Sequence, residues 1–273
     1  MRLGELITSF ESLWPVSQAE EWDVVGLVSG NPNQEIAKVL LTVDLTHEVV
    51  LEAQELSVDL IFAHHPFLLR GVTNISEVTS KGHILAELIR NNIAVYAAHT
   101  NADSSANGTS AVLARAIGLS DFAVLAKSQT GGGIGVIGNV AGGITLGELA
   151  GRLNAVLPQT ASGVRVAGDF DRIVSRVALC AGAGDSYLQL ALDSGADVYI
   201  TSDLRHHPAQ EILEQAKARG LDFALIDISH WAAEYLWLSQ AKADLSLLPV
   251  EIVLSDIRTD VFDFLMNLPK DEN

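Results

Sequence analysis

Residues 37–67, AKVLLTVDLTHEVVLEAQELSVDLIFAHHPF, decide the fold. AKVLLTVDL is a run of Leu and Val that reads as a buried strand. THEVVLEAQEL places its apolar residues on one helical face, and VDLIFAHHPF is a second apolar strand. A helix of about ten residues between two buried strands joins them in parallel, the βαβ unit. Working outward, ILAELIRNNI reads as a helix, AVYAAHT as a third strand and SAVLARAIGL as a third helix.

The composition changes after Ala126, where KSQTGGGIGVIGNVAGGI holds seven glycines, suited to turns and tight hairpins. The alternation then resumes. GELAGRLNAVL, DSYLQLALDSG, PAQEILEQAKARG and HWAAEYLWLSQAKA read as helices, and RIVSRVALCAGAG, ADVYITSD and FALIDIS as strands. The expectation is an α/β protein of two α/β lobes with mixed, mostly parallel sheets, one lobe over 1–126 and one over 127–273. The final helices are left free to pack back on the first lobe.

At 273 residues, 48% hydrophobic and 19% charged, the composition is that of a packed globular protein. No stretch approaches the roughly 20 apolar residues of a membrane span. The N-terminal MRLGELITSFESLWPVSQAEEWD has helical spacing with acids among its apolar residues and no signal-peptide pattern, so it is expected to be a first amphipathic helix. The only cysteine, Cys180, excludes an intrachain disulfide and points to a reducing, cytoplasmic setting. A net charge of −17, with no clustered Lys or Arg, argues against double-stranded nucleic acid as a partner.

Six of the eight histidines fall in four short clusters, each closing an apolar run: His64 and His65 in LIFAHHPF, His99 with Asp103 in AVYAAHTNAD, His206 and His207 with Asp203 in SDLRHH, and His230 with Glu234 in ALIDISHWAAE. Imidazoles and carboxylates at the carboxyl ends of buried strands are how an α/β protein offers ligands to a metal. Vicinal histidines on extended chain point to opposite sides. They reach one metal only through a local turn, or else serve two metals, or one metal and its surroundings. Asp103 is a hard ligand able to bridge two cations, or equally a cap for a helix beginning near Gly108 or Thr109. If His230 opens a helix, Glu234 lies one turn on along the same face, although most such pairs are simply solvated. Asp222 and Asp227 lie nearby. In SDLRHH a capping reading stays open for Asp203 or one histidine, and His207 suits a substrate-facing or supporting part over a ligand's. Gly182 and Gly184 in CAGAGDS form either an anion cradle or a plain tight turn.

WDVVGL, VDLTHEVVLEA, FAHHPF, AAHTNAD, a Gly-rich centre, CAGAGDS, ADVYITSD with a downstream His, and DISHWAAE occur here in an order that resembles the NIF-three-like family of GTP cyclohydrolase I type 2 homologues. The resemblance runs from about Trp22 to about Leu238. It implies two α/β lobes, a dinuclear metal site in the cleft between them, and a homo-oligomer, a hexamer built as a trimer of dimers. It places His64, His65, Asp103, His230 and Glu234 on metal-binding positions, with His99 beside them as a catalytic or supporting group; in a hydrolase of this kind His99 or His207 would move protons. Val24 stands where the family usually has Asn, and Ala233 where it has Ser or Thr. The long central insertion of some members is absent. The function implied is a dinuclear divalent-metal-dependent hydrolase carrying two zinc, iron or manganese ions per chain. Its substrate would be a small molecule: GTP, another nucleotide, a phosphoester or a cyclic amide. The rival is a non-catalytic metal-binding protein serving protein partners, separated from the first by whether a coordination position stays open.

Overall fold

The computed structural model describes residues 1–128 and 131–266. Two compact units are discontinuous in sequence. Residues 1–113, the described part of 124–135, and 234–259 form the first; 114–123, 136–233 and the described residues from 260 onward form the second.

The first unit is built on a five-stranded sheet. Helix α1 (Leu3–Leu13) precedes β1 (Gly26–Ser29), and β2 (Lys38–Thr42), α2 (His47–Glu55) and β3 (Leu60–Ala63) follow as the expected βαβ unit. Next come α3 (Ser80–Arg90), β4 (Ala94–Ala97), a one-turn helix α4 (Thr100–Asp103) and α5 (Thr109–Ala116), whose last residues pass to the second unit. The sheet order is β1-β4-β3-β2-β11, where β11 is Glu251–Leu254. β11, β2, β3 and β4 run parallel, and β1 lies antiparallel on the β4 edge. Every residue of β3 and β4 is buried, as expected for strands covered on both faces.

Phe10, Trp14, Phe62, Tyr96 and Trp237 meet in the core of this unit, each at most 1% exposed. Phe10 packs edge-on against Phe62 at 5.0 Å, Phe62 stacks on Tyr96 at 5.5 Å, and Trp14 meets Trp237 at 5.5 Å. Such ring pairs add to the stabilisation from burial itself. Trp237 comes from α9 (His230–Asp244), so this cluster fixes that helix against the sheet.

The second unit is organised on a six-stranded sheet of order β5-β6-β8-β9-β10-β7. Its strands are β5 (Leu119–Lys127) and β6 (Gly133–Thr145), of which residues 124–127 and 133–135 are grouped with the first unit, and β7 (Val164–Ala167), β8 (Ile173–Ala183), β9 (Val198–Ser202) and β10 (Ala224–Ile228). β8, β9 and β10 are parallel, while β6 and β7 are antiparallel to their neighbours. Helices α6 (Leu146–Val156), α7 (Leu188–Asp193) and α8 (His206–Ala218) complete it. Thr145 and Glu148 close a capping box at the start of α6.

The glycine-rich segment differs from its expected reading. Most of its glycines lie inside β6, a strand of 13 residues. A Cβ on Gly138 would stand 2.6 Å from Phe122 Cβ, so glycine there serves close strand approach. The DSYLQLALDSG segment also divides, into a 3₁₀ turn over Asp185–Tyr187 and the short α7. No helix among the described residues is long and apolar enough to cross a membrane.

Trp237 is fully buried and touches Trp14, Phe62 and His64. Trp237→Ala is therefore expected to lower unfolding free energy by about 3–5 kcal/mol in urea denaturation. Leu247→Ala, at a side chain 96% exposed, should stay within about 0.5 kcal/mol of the parent.

Candidate metal centre

The backbone ladder extends one step past the parallel strands and delivers the histidines. His64 N–H donates to Thr42 O at 3.0 Å, His65 N–H to Val43 O at 2.9 Å, and Ala98 N–H to Ala63 O at 3.1 Å. His64 and His65 therefore leave the carboxyl end of β3 on extended chain, and Pro66, lacking an N–H, follows where the ladder stops. His64 has no exposed side-chain area and lies against Trp237, while His65 keeps 25%. Beyond β4, His99 precedes α4, and that single turn presents Asp103. Glu234, only 3% exposed, enters from the second turn of α9 and is grouped with the first unit.

The Nδ1 atom of each of these three histidines is tied to an oxygen. His64 Nδ1 lies 2.9 Å from Ala98 O, His65 Nδ1 2.7 Å from Asp44 Oδ1, and His99 Nδ1 3.1 Å from Asp23 Oδ1. A carbonyl only accepts, so His64 Nδ1 carries the proton and Nε2 offers a lone pair in the neutral ring. That Nε2 is buried without a hydrogen bond. It stands 3.7 Å from Asp103 Oδ1 and 3.6 Å from Glu234 Oε1. The other Glu234 oxygen, Oε2, lies 3.0 Å from His65 Nε2. One carboxylate thus faces both histidines. His64, His65 and His99 also bring ring nitrogens within 4.8 Å of one another.

The supporting carboxylates are themselves held. Asp44 accepts from Thr259 Oγ1, Asp103 from Thr109 Oγ1, and Asp23 from Thr100 Oγ1 and, at 3.0 Å, from Thr100 N–H. Burial alone would favour neutral carboxyls, yet the bonds and charge from His65 and the bond from Thr259 lower Asp44 below its usual range. At Asp23 burial is likewise outweighed, by His99 and Thr100, and its pKa falls to about 2. Burial disfavours charged imidazoles too, but Glu234 and Asp103 push His64 up. Glu234 and the bond to Asp44 push His65 up to about 10. The carboxylates thus create a potential that holds positive charge at Nε2 of both rings.

The fully buried His64 imidazole, the partly buried His65 imidazole and the Asp103 and Glu234 carboxylates, with facing atoms 3.0–3.7 Å apart, fit a divalent cation. Ligands bound at about 2.0–2.2 Å around a tetrahedral centre stand roughly 3.3 Å apart. The orphaned His64 Nε2 is the atom such an ion would satisfy.

His64, His65, His99, Asp103 and Glu234 are gathered in the first unit. His230 opens α9 one turn before Glu234, belongs to the second unit, and places Nδ1 2.6 Å from Asp203 Oδ2. His207, also in the second unit, is exposed on the first turn of α8, where its ring packs edge-on against His206. Asp227 is engaged by Arg165 and by Leu204 N–H at 3.0 Å, and Asp222 pairs with Arg172 at 3.1 Å. Buried hydroxyls hold the CAGAGDS turn. Thr201 donates to Gly182 O at 3.0 Å and Tyr199 to Gly184 O at 2.9 Å, and a Cβ on Gly184 would stand 2.3 Å from the Tyr199 oxygen. Gly184 thus serves close packing on β9, while Gly182 supplies the left-handed backbone of the turn at φ +80°.

Sequence reasoning did not single out Asp23 and Asp44. Asp44 sits two residues past buried β2, the same kind of position that drew attention to the histidines. Asp23 precedes Val24, whose N–H it accepts at 2.8 Å, so the backbone makes this bond whatever side chain stands at 24.

The family model for Duf34/NIF3 (NGG1p interacting factor 3) matches residues 1–261. The chain is 42% identical over 248 residues to a Streptomyces coelicolor protein named GTP cyclohydrolase 1 type 2 homolog, covering 89% of this chain and 85% of that one. Among solved structures it is similar to a Bacillus cereus protein related to NIF3, with 26% identity, a TM-score of 0.86, and coverage of 97% and 99%. It is equally similar to a hypothetical protein of Staphylococcus aureus, with 29% identity, a TM-score of 0.86 and the same coverage. With nearly the whole chain matched in sequence and in fold, it belongs to the Duf34/NIF3 family.

Proposed function

We propose that the protein is a dinuclear divalent-metal-dependent hydrolase acting on a small molecule: GTP or another nucleotide, a phosphoester or a cyclic amide. The observation that carries this reading is the buried, unbonded His64 Nε2 facing Asp103 and Glu234. Two ions are favoured over one because Glu234 turns Oε1 to His64 and Oε2 to His65. In this reading His64, Asp103 and Glu234 hold one cation, and His65, Glu234 and His230 the other. His230 is assigned from its place one turn before Glu234 on the same helix. Zinc, iron and manganese suit imidazole and carboxylate donors. Bound there, such ions supply Lewis acidity and make a water more acidic.

The chain's own groups supply the rest. Asp44 and Ala98 O orient the His65 and His64 rings so that Nε2 faces inward. Asp23 fixes His99 at Nδ1, which leaves His99 Nε2 as the atom that takes or gives a proton. Trp22 is 59% exposed and stands edge-to-face with His99 at 5.8 Å, offering an aromatic surface to a planar heterocycle. This favours a nucleobase-containing substrate. A screen of nucleotides, phosphoesters and cyclic amides with metal-loaded protein tests the activity; no turnover of any class with the metals in place would leave the non-catalytic reading.

Saturation with zinc or manganese should give at least two ions per chain by elemental analysis, and one or none would contradict the dinuclear reading. Glu234→Gln preserves volume but removes charge from the residue that faces both rings. It should weaken metal binding and turnover by more than the roughly 10 to 100-fold typical of outer-shell changes, with the fold retained by circular dichroism. Glu211→Gln, on the exposed side of α8, should leave both unchanged. We also propose a hexamer, on the family resemblance. Light scattering at micromolar concentration should return about six times the 29.1 kDa chain mass, and a monomer mass would exclude it.

A further inference from the structure

The two histidines outside the strand-end clusters, His47 and His83, meet on the surface of the first unit with rings 5.2 Å apart. His47 is the first residue of α2, which Thr46 caps by accepting from Val49 N–H. His83 and Glu87 lie four apart on α3, which Thr79 caps by accepting from Gly82 N–H at 3.1 Å. Both helices are pressed into one core cluster through Val49, Val50 and Ala53 of α2 and Ile84 and Leu88 of α3. Their spacing is therefore set by packing below the surface.

Glu87 turns one oxygen to each ring. Oε2 lies 3.3 Å from His47 Nε2, and Oε1 lies 3.6 Å from His83 Nε2. The three residues bring ligand atoms within 4.8 Å of one another. Glu87 Oε2 is shut off from water and accepts no hydrogen bond. The side chains keep 40%, 46% and 23% exposure at His47, His83 and Glu87, so one side of the cluster opens to solvent.

We infer that His47, His83 and Glu87 form a site for one further divalent cation of the zinc type. Two imidazoles and one carboxylate are the donors that zinc accepts alongside a solvent ligand, and tetrahedral partners at about 2.0–2.2 Å stand roughly 3.3 Å apart, close to the separations of 3.3 and 3.6 Å found here. A cation there answers the buried Glu87 oxygen and both ring nitrogens together. It also ties α2, which leads into β3, to α3, which follows it. The ordinary alternative for such a cluster is a surface ion pair, worth little to stability and indifferent to zinc.

His47→Gln and His83→Gln test this, because both side chains are near half-exposed and their replacement leaves the core cluster untouched. After dialysis against micromolar free zinc, each variant should hold one zinc per chain fewer than the parent by elemental analysis. In cobalt(II) titrations followed by visible absorption, affinity at this site should fall by at least roughly 10 to 100-fold. The zinc-dependent rise in Tm should shrink in both. Repeating the series in a Glu234→Gln background separates this site from the proposed dinuclear centre, since the difference of one ion should persist there. Equal zinc content in parent and both variants, all folded by circular dichroism, would overturn the inference.

Discussion

A fully buried imidazole between two carboxylates is the constraint around which the first unit is organised. His64 has no exposed area, Glu234 has 3%, and each brings a charge or potential charge into the protein. Taking such groups out of water costs several kcal/mol per ion unless partners compensate. An apolar residue at either position would be the more economical way to build a stable core. The wall that makes burial possible is aromatic: Trp237 packs on His64, and Trp14, Phe62, Phe10 and Tyr96 extend the layer behind it. One helix, α9, supplies both the carboxylate that faces His64 and the indole that packs against it. Placement of the site and stability of the core are thus coupled through Trp237 and Glu234, three residues apart.

The parallel sheet explains why these groups meet. Adjacent parallel strands end at one edge, so residues just beyond β2, β3 and β4 converge there without any long loop. Asp44 follows β2, His64 and His65 follow β3, and His99 follows β4. In each case the residue past the strand either accepts a bond from a histidine ring, as Asp44 does from His65, or is the histidine itself. The outcome is directional: each Nδ1 is occupied by an oxygen, and two Nε2 atoms are left to face Glu234. Such outer anchoring is what the proposed metal site would require of its histidines.

How far the sequence revealed this depends on burial. The interior strands β2, β3, β4, β8, β9 and β10 were legible because both faces are covered, which leaves unbroken runs of Val, Ile, Leu and Ala. β1 and β11 edge one sheet, and β5 and β7 edge the other. Their half-exposed patterns carry no such run, so they escaped notice. β6 was hidden differently, since its glycines read as turns while Gly133 and Gly138 serve close approach to β5. The histidines stood out because each closes a buried run. Asp23 and Asp44 did not, because a lone acid near a strand end looks like a turn or cap, and only its distance from an imidazole separates the two. His207 likewise follows a buried strand, and the first turn of α8 leaves its side chain exposed.

The residues around His99 show how a short helix extends the site beyond the sheet. α4 is a single turn, too short to be stable by itself. It is held by side chains that reach into the segment following α1. Asn101, fully buried, donates to Trp14 O at 2.8 Å, Ser104 to Gln18 O at 3.3 Å, and Thr100 Oγ1 accepts from Glu20 N–H at 2.9 Å. These bonds pin residues 14–20, and the chain emerges from them to deliver Trp22 and Asp23 against His99. Asp23 then returns to bond Thr100, closing a loop of contacts in which the helix and the segment each fix the other. Neither part would hold its position alone. The exposed Trp22 is thereby fixed at its neighbour while its ring keeps an open face, an arrangement suited to receiving a planar ring beside His99 Nε2 and with no evident part in the core.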